Sequence, residues 1–295
     1  MADSDRPIAS ADNADRPILD SLLLRDRFVV IAGLLVVIAA AWTWILLGAG
    51  TGMNASEGLS DMAGMSGMNG MPGMVGMAGM PSAAAPAVWT PPYAALMFFM
   101  WWVMMIAMML PSAAPMLLLF ARVNRKERSG GRPYVPTAVF AVGYLSVWAG
   151  FSAAATALQW YLERIGLLSS TMATSSLWLG PAILVAAGAW QLTPIKSVCL
   201  RHCRSPLSFL SHSWRPGYLG AFRMGLGHGA YCLGCCWFLM SLLFFGGIMN
   251  LYWIIGLAIL ILSEKTMPMG QWFGRIIGIG LVAWGGLLIA TALQG

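Results

Sequence analysis

Seven methionines recur at every third position of one glycine-rich segment, and this spacing is the most distinctive chemical feature of the chain. Glycine disfavours helix, and the small residues between the methionines offer no apolar face to bury, so the segment is not expected to pack. Thioether sulfur is a soft ligand for Cu(I) that, unlike a thiol, needs no deprotonation. The alternative is a flexible low-complexity linker. The pattern favours binding of a soft metal ion by Met62, Met65, Met68, Met71, Met74, Met77 and Met80.

A second set of methionines has helical spacing. Met100, Met104 and Met108 recur at every fourth position, which places them on one stripe of a helix. Methionine is also a pliable apolar filler of membrane helices, so simple packing is one interpretation. The other interpretation is that this stripe holds or conducts the ion that the repeat captures.

Three cysteines and a histidine lie close together near the middle of a later apolar run. His228, Cys232 and Cys235 have the i, i+4 and i+7 spacing of one helical face, and Cys236 flanks them. Imidazole and thiolate groups are suitable ligands for a soft metal, and an ionisable group inside a membrane is costly unless it has a function. The alternatives are inert buried thiols and a hydrogen-bonded structural histidine.

A third candidate site is a short polar connector that contains Cys199, His202 and Cys203. The spacing is not that of a zinc finger, because no second cysteine pair follows it. Arg201 and Arg204 would favour the thiolates that bind metal. We expect a receiving site for a soft ion, and the alternative is a reduced cytosolic thiol pair without function.

The elements that position these residues follow from composition. Hydrophobic residues make up 59% of the 295-residue chain and charged residues only 9%, against about 25% charged in soluble domains. The apolar runs are long and do not alternate, so helices are favoured over a β-barrel. We predict an all-α, polytopic membrane protein with about seven transmembrane helices, the second bent near its two prolines. The predicted spans are about 28–49, 92–121, 135–161, 175–195, 219–246, 250–264 and 274–293.

The distribution of charge predicts the orientation of the chain. With a cytoplasmic N-terminus, only Arg164 among the 17 lysines and arginines falls in a segment facing outward, as the positive-inside rule requires. The same topology explains the net charge of +6 without a nucleic-acid partner. We predict a multi-pass protein of the bacterial inner membrane. Its predicted regions are a disordered cytoplasmic tail (1–27), a first anchor (28–49), a periplasmic Met/Gly-rich loop (50–88) and a six-helix membrane domain (90–293).

Three polar pairs in or near the spans receive simple interpretations. Glu163 and Arg164 are expected to form a pair on the outer surface, and Glu264–Lys265 a solvated inner helix end. Gln191 and Thr193 are expected to satisfy backbone groups that Pro194 leaves free. No nucleotide-binding motif is present, so this chain alone is not expected to use ATP.

Several long motifs resemble the DUF2182 family of predicted metal-binding integral membrane proteins, some of them labelled copper chaperones. The resemblance covers about 90–290 and leaves out the methionine repeat. The motifs are WQLTPIK (190–196), CLRHCRSPL (199–207), GHGAYCLGCCW (227–237), MNL (249–251), EK (264–265) and MMLP (108–111). The resemblance implies a metal but not a reaction.

Together the residues predict capture, transfer or transport of Cu(I), or of another soft metal, across the inner membrane. The surroundings would be membrane lipid, and the partner a copper-dependent membrane enzyme or a metallochaperone. One alternative is a copper-containing membrane metalloenzyme, or an accessory subunit of an oxidase or monooxygenase assembly. Another is a thiol–disulfide enzyme, which the cytoplasmic position of the thiols disfavours.

Overall fold

The computed structural model describes residues 16–50, 88–129, 135–169 and 172–294. Within these ranges the regular structure is helical, apart from one isolated bridge between Leu168 and Thr174. The predicted all-α class is therefore confirmed. The helices are α1 (Arg16–Leu46), α2 (Pro91–Ser129), α3 (Thr137–Arg164), α4 (Leu179–Leu192), α5 (Pro194–Arg204), α6 (Pro206–Ser213), α7 (Gly217–Gly246), α8 (Leu251–Thr266) and α9 (Gly270–Gln294).

A helix occupies each of the seven predicted span positions, but five contain a segment long and apolar enough to cross a membrane. These segments are Phe28–Leu46, Pro91–Arg125, Thr137–Arg164, Gly217–Gly246 and Gly270–Gln294. Helices α4 and α5 pass the same test only as a pair, and α8 has 16 residues where about 20 are needed. The helices are consistent with a multi-pass membrane protein. The count of seven and the cytoplasmic N-terminus stay predictions.

The break between α4 and α5 determines where two of the cysteines lie. Pro194 disfavours helical geometry at the residue before it, and Thr193 is extended at φ −71°, ψ 147°. The Thr193 hydroxyl donates to the carbonyl of Trp190 and accepts from the Lys196 amide, so it closes one helix and caps the next. The helix axis turns by 65° at this point, and α5 leaves in a new direction.

Glycines allow the long helices to approach each other closely. At Gly225 in α7, an added Cβ would overlap the carbonyl oxygen of Phe140 in α3, and one at Gly188 in α4 would lie 2.6 Å from the carbonyl oxygen of Gly278 in α9. Close backbone contact of this kind is typical of helix pairs in membranes, where packing rather than the hydrophobic effect drives association. The α3–α7 pair forms one wall of the candidate site.

A candidate metal centre of buried thiols

All five cysteines of the chain meet where α5 crosses α7, and we call this group the thiol cluster. Cys232, Cys235 and Cys236 are each at most 2% exposed. From α5, Cys203 interacts electrostatically with Cys232 and Cys235, and Cys199 with Cys235. All five are free thiols. The two cysteine-containing candidate sites of the sequence are therefore one site in the fold. Their nearest cysteines, Cys203 and Cys232, are 29 residues apart along the chain.

The local sequence explains how α5 reaches α7. Cys232, Cys235 and Cys236 lie on one face of α7 because residues three and four apart are neighbours on a helix. Gly234 leaves space at the contact, since a Cβ added there would lie 2.9 Å from the Cys199 sulfur. The indole of Trp190 donates to the Gly234 carbonyl at 3.2 Å, which holds the end of α4 against the same turn.

Hydrogen bonds within the cluster set the present directions of the thiols. The thiols of Cys235 and Cys236 both donate to the carbonyl of Cys232, at 3.1 and 3.0 Å. The Cys236 sulfur also lies 3.8 Å from the thioether sulfur of Met109 in α2. The Tyr144 hydroxyl from α3 lies 3.1 Å from the Cys232 sulfur. Helices α2 and α3 therefore contact the cluster, whose cysteines come from α5 and α7.

The cation beside the thiols is Lys265, at the end of α8. Its Nζ donates to the Cys232 sulfur and to the Ser112 hydroxyl, each at 3.0 Å. The prediction that this residue ends a helix in solvent is wrong, because α8 carries it against α2 and α7. Arg201 and Arg204 were expected to supply the positive charge, but Arg201 is exposed and Arg204 donates to the carbonyls of Met267 and Pro268.

Glu264, the other half of the expected solvated pair, is also buried, at 2% exposure. Its carboxylate accepts from Lys196 Nζ and from Gln191 Nε2, both at 2.7 Å. Gln191 thus pairs with an acid rather than with backbone groups beside Pro194. Because removing one partner of a buried ion pair is strongly unfavourable, this network fixes α5 to α4 and α8.

The two predicted histidine ligands lie beside the thiol cluster and do not join it. The His228 ring is 3% exposed and is surrounded by aromatic rings, with centroids of Phe140, Tyr144 and Phe209 at 6.1, 5.8 and 5.6 Å. Its Nδ1 has no hydrogen-bond partner in the described part of the chain. His202 stacks on Tyr231 at 4.3 Å between ring centroids and hydrogen-bonds the carbonyl of Val198.

No group of three or more His, Cys, Asp or Glu side chains within the described ranges is arranged to hold a metal ion. The directions of Cys235 and Cys236 provide a physical reason, since both thiols point back to the carbonyl of Cys232. Methionine is not among these four residue types, and Met109 adds a thioether sulfur at the edge of the cluster.

Of the predicted methionine sites, the helical stripe lies in the core. Met100, Met104 and Met108 are each about 1% exposed. The sulfur that reaches the thiols belongs to Met109, on the neighbouring stripe of the same helix. The methionine repeat at 62–80 lies outside the described residues, so its metal-binding role stays a prediction.

Three neighbours of the thiols were not predicted from the sequence: Lys265, Tyr144 and Ser112. Lys265 lies at the end of an apolar run, and an ionisable residue at such a position can indicate a functional site. Tyr144 and Ser112 carry no local signal, because each contacts the cluster from another helix.

A family model described as copper chaperone, named PpoB2, matches residues 98–288. The match covers more than half of the chain and includes all five cysteines, Met109 and Lys265, but not the methionine repeat. The DUF2182 name stays a prediction. No curated protein and no solved structure matches the chain.

Proposed function

This chain belongs to the copper-chaperone family, and from that premise we propose that it binds Cu(I) as cargo at the thiol cluster, inside a helical bundle embedded in the membrane. The observation that carries the proposal is the convergence of all five cysteines from α5 and α7. Thiolate and thioether sulfur are the ligands that select Cu(I) over harder ions.

The present hydrogen bonds give the thiols a simple route to bind metal. A thiol must lose its proton to become a ligand, and a deprotonated sulfur can no longer donate to a carbonyl. Binding therefore releases Cys235 and Cys236 from the carbonyl of Cys232 and lets them turn towards the ion. Two thiolates suffice for Cu(I), which accepts low coordination numbers.

The charge of the complex also fits its surroundings. Cu(I) held by two thiolates has a net charge of −1, which would be expensive to bury among apolar helices. Lys265, 3.0 Å from the Cys232 sulfur, supplies the compensating positive charge. The metal-loaded cluster is then close to neutral.

The wider path of the ion belongs to the same proposal. The methionine repeat captures Cu(I) on the periplasmic side of a bacterial inner membrane, and Met100, Met104 and Met108 pass it towards Met109 and Cys236. Cys199 and Cys203, on the α5 side of the cluster, exchange it with a copper-dependent enzyme or a metallochaperone. The contact between Met109 and Cys236 supports this order of ligands.

The test is the Cu(I) affinity of the purified full-length protein in detergent, measured without oxygen by competition with a chromophoric chelator. The variant in which all five cysteines of the thiol cluster are replaced by serine is expected to bind Cu(I) at least 100-fold more weakly at this site. Copper X-ray absorption of the wild type is expected to show sulfur neighbours.

The matched control is Met224→Leu, a buried substitution of similar volume on the same helix in a separate part of the core. It is expected to leave the affinity unchanged. The proposal is overturned if the variant without the five cysteines binds within threefold of the wild type, or if the copper has only nitrogen and oxygen neighbours.

A further inference from the structure

A second group of sulfur atoms lies far from the thiol cluster, near the beginning of α2. We propose that Met97, Met172 and the carboxylate of Glu163 form a separate binding site for a soft monovalent cation. Twelve residues separate Met97 from Met109 on the same helix, about 18 Å at 1.5 Å per residue. The site deepens the proposed function and rests on it for the identity of the natural ion.

One side-chain amide brings the three ligands together. Gln159 in α3 is fully buried, and its Nε2 lies 3.5 Å from the sulfur of Met97 and 3.6 Å from that of Met172. Since both sulfurs contact the same nitrogen, they are at most about 7 Å apart. The same nitrogen donates to Glu163 Oε1 at 2.8 Å. Both thioethers and the carboxylate therefore surround one point in the bundle, which the amide nitrogen of Gln159 now occupies.

The amide is surrounded by more acceptors than it can serve. Its oxygen accepts from the indole of Trp101 at 2.8 Å, so exchanging the oxygen and nitrogen would set two donors against each other. The NH₂ group of Gln159 has two hydrogens, yet it faces two sulfurs and one carboxylate oxygen. A cation can replace the amide hydrogens as the partner of all three acceptor atoms when the amide turns away.

The charge of Glu163 points to a positive ligand. The expected surface pair with Arg164 is wrong, because the guanidinium lies over the ring of Trp160 at 5.5 Å. Across the described residues Glu163 has neutral hydrogen-bond donors and no cationic partner; its Oε2 accepts from the indole of Trp89 at 2.7 Å. Glu163 is the second-last residue of α3 and is partly buried, and the negative charge of its carboxylate attracts a cation. A monovalent ion held by two neutral thioethers and one carboxylate gives a neutral complex.

The backbone of Met172 supports a functional placement of its side chain. Its φ of 56° lies in the left-handed region, which residues other than glycine rarely adopt. Its N–H donates to the Ser169 carbonyl at 2.9 Å, and its carbonyl accepts from the Ile248 amide at 3.4 Å. Residues in this region persist only where the surrounding structure holds them, and they are concentrated at binding and active sites. In this conformation the Met172 sulfur lies 3.6 Å from the buried amide of Gln159.

The experiment uses Ag(I), a diamagnetic probe for Cu(I), with the full-length protein labelled at its methionine methyl groups with ¹³C. The resonances of Met97 and Met172 are assigned by single leucine substitutions. Both are expected to shift on titration with Ag(I) in a background in which all five cysteines are replaced by serine. In that background, Met97→Leu and Met172→Leu are each expected to weaken Ag(I) binding at the remaining methionine resonance at least tenfold. The control is Met116→Leu, a buried methionine of the same helix in another core cluster, which should leave this binding unchanged.

Glu163→Gln provides a test that keeps the shape of the site. It is expected to weaken Ag(I) binding at the methionines at least tenfold without altering the thiol cluster. The proposal is overturned if Ag(I) shifts neither methyl resonance, or if the methionine and glutamate variants bind as the cysteine background does. A different result would overturn the proposed function: the cysteine variants would keep their affinity for Cu(I) while Met97 and Met172 still respond to Ag(I).

Discussion

Removing the positive charge of Lys265 tests how the thiol cluster tolerates a bound ion. In Lys265→Met the ammonium that lies 3.0 Å from the Cys232 sulfur is replaced by an apolar side chain of similar length. The metal-loaded cluster then keeps its net charge of −1 in an apolar environment. We expect the affinity for Cu(I) to fall while the fold persists.

The size of the effect follows from Coulomb's law. Two unit charges about 4 Å apart interact by about 4 kcal/mol at an effective dielectric constant of about 20. Lys265 is partly buried, and solvent screening sets the lower limit at about 2 kcal/mol, so the loss is about 2–4 kcal/mol. At about 1.4 kcal/mol per factor of ten, the dissociation constant for Cu(I) should rise by about 30- to 1000-fold.

The assay is anaerobic competition with a Cu(I) chelator, using wild type, Lys265→Met, Lys265→Arg and Arg201→Met. The arginine variant retains the charge and should recover most of the affinity. Arg201 is exposed, and its loss should leave the affinity within threefold of the wild type. The reasoning is refuted if Lys265→Met also binds within threefold, or if Arg201→Met weakens binding as much as Lys265→Met does.

Two further predictions concern the packing around the site. Lys196→Met leaves the buried Glu264 carboxylate without its cation, so it should destabilise the protein by about 3–5 kcal/mol in detergent. The double variant Lys196→Met/Glu264→Gln should recover most of this stability. The prediction is contradicted if thermal unfolding shows equal losses of stability in the single and the double variant. Gly225→Ala places a Cβ against the carbonyl oxygen of Phe140 and should cost about 1–3 kcal/mol, whereas Gly227→Ala, with its nearest atom 3.7 Å away, serves as the control that should unfold like the wild type.

The spacing of the cysteines along the chain predicts some of their positions in the structure. The spacing of Cys232, Cys235 and Cys236 correctly places them on one face of a helix, because helical neighbours depend only on separation along the chain. The helical class follows equally directly, since a run of apolar residues must satisfy its own backbone inside a membrane. Pro194 also marks a helix boundary, because proline disfavours helical geometry at the residue before it.

The sequence by itself thus determined an all-helical protein rich in sulfur-containing side chains, and the helix face on which each group of candidate ligands lies. Only the tertiary structure decided that Cys199 and Cys203 join the α7 cysteines, that Lys265 rather than an arginine stands beside them, and that Gln159 draws two distant methionines together. These contacts depend on the direction in which α5 leaves its 65° bend and on how α2, α3 and α8 cross α7. Local spacing contains no information on such crossings, since they are set by the packing of whole helix surfaces against each other.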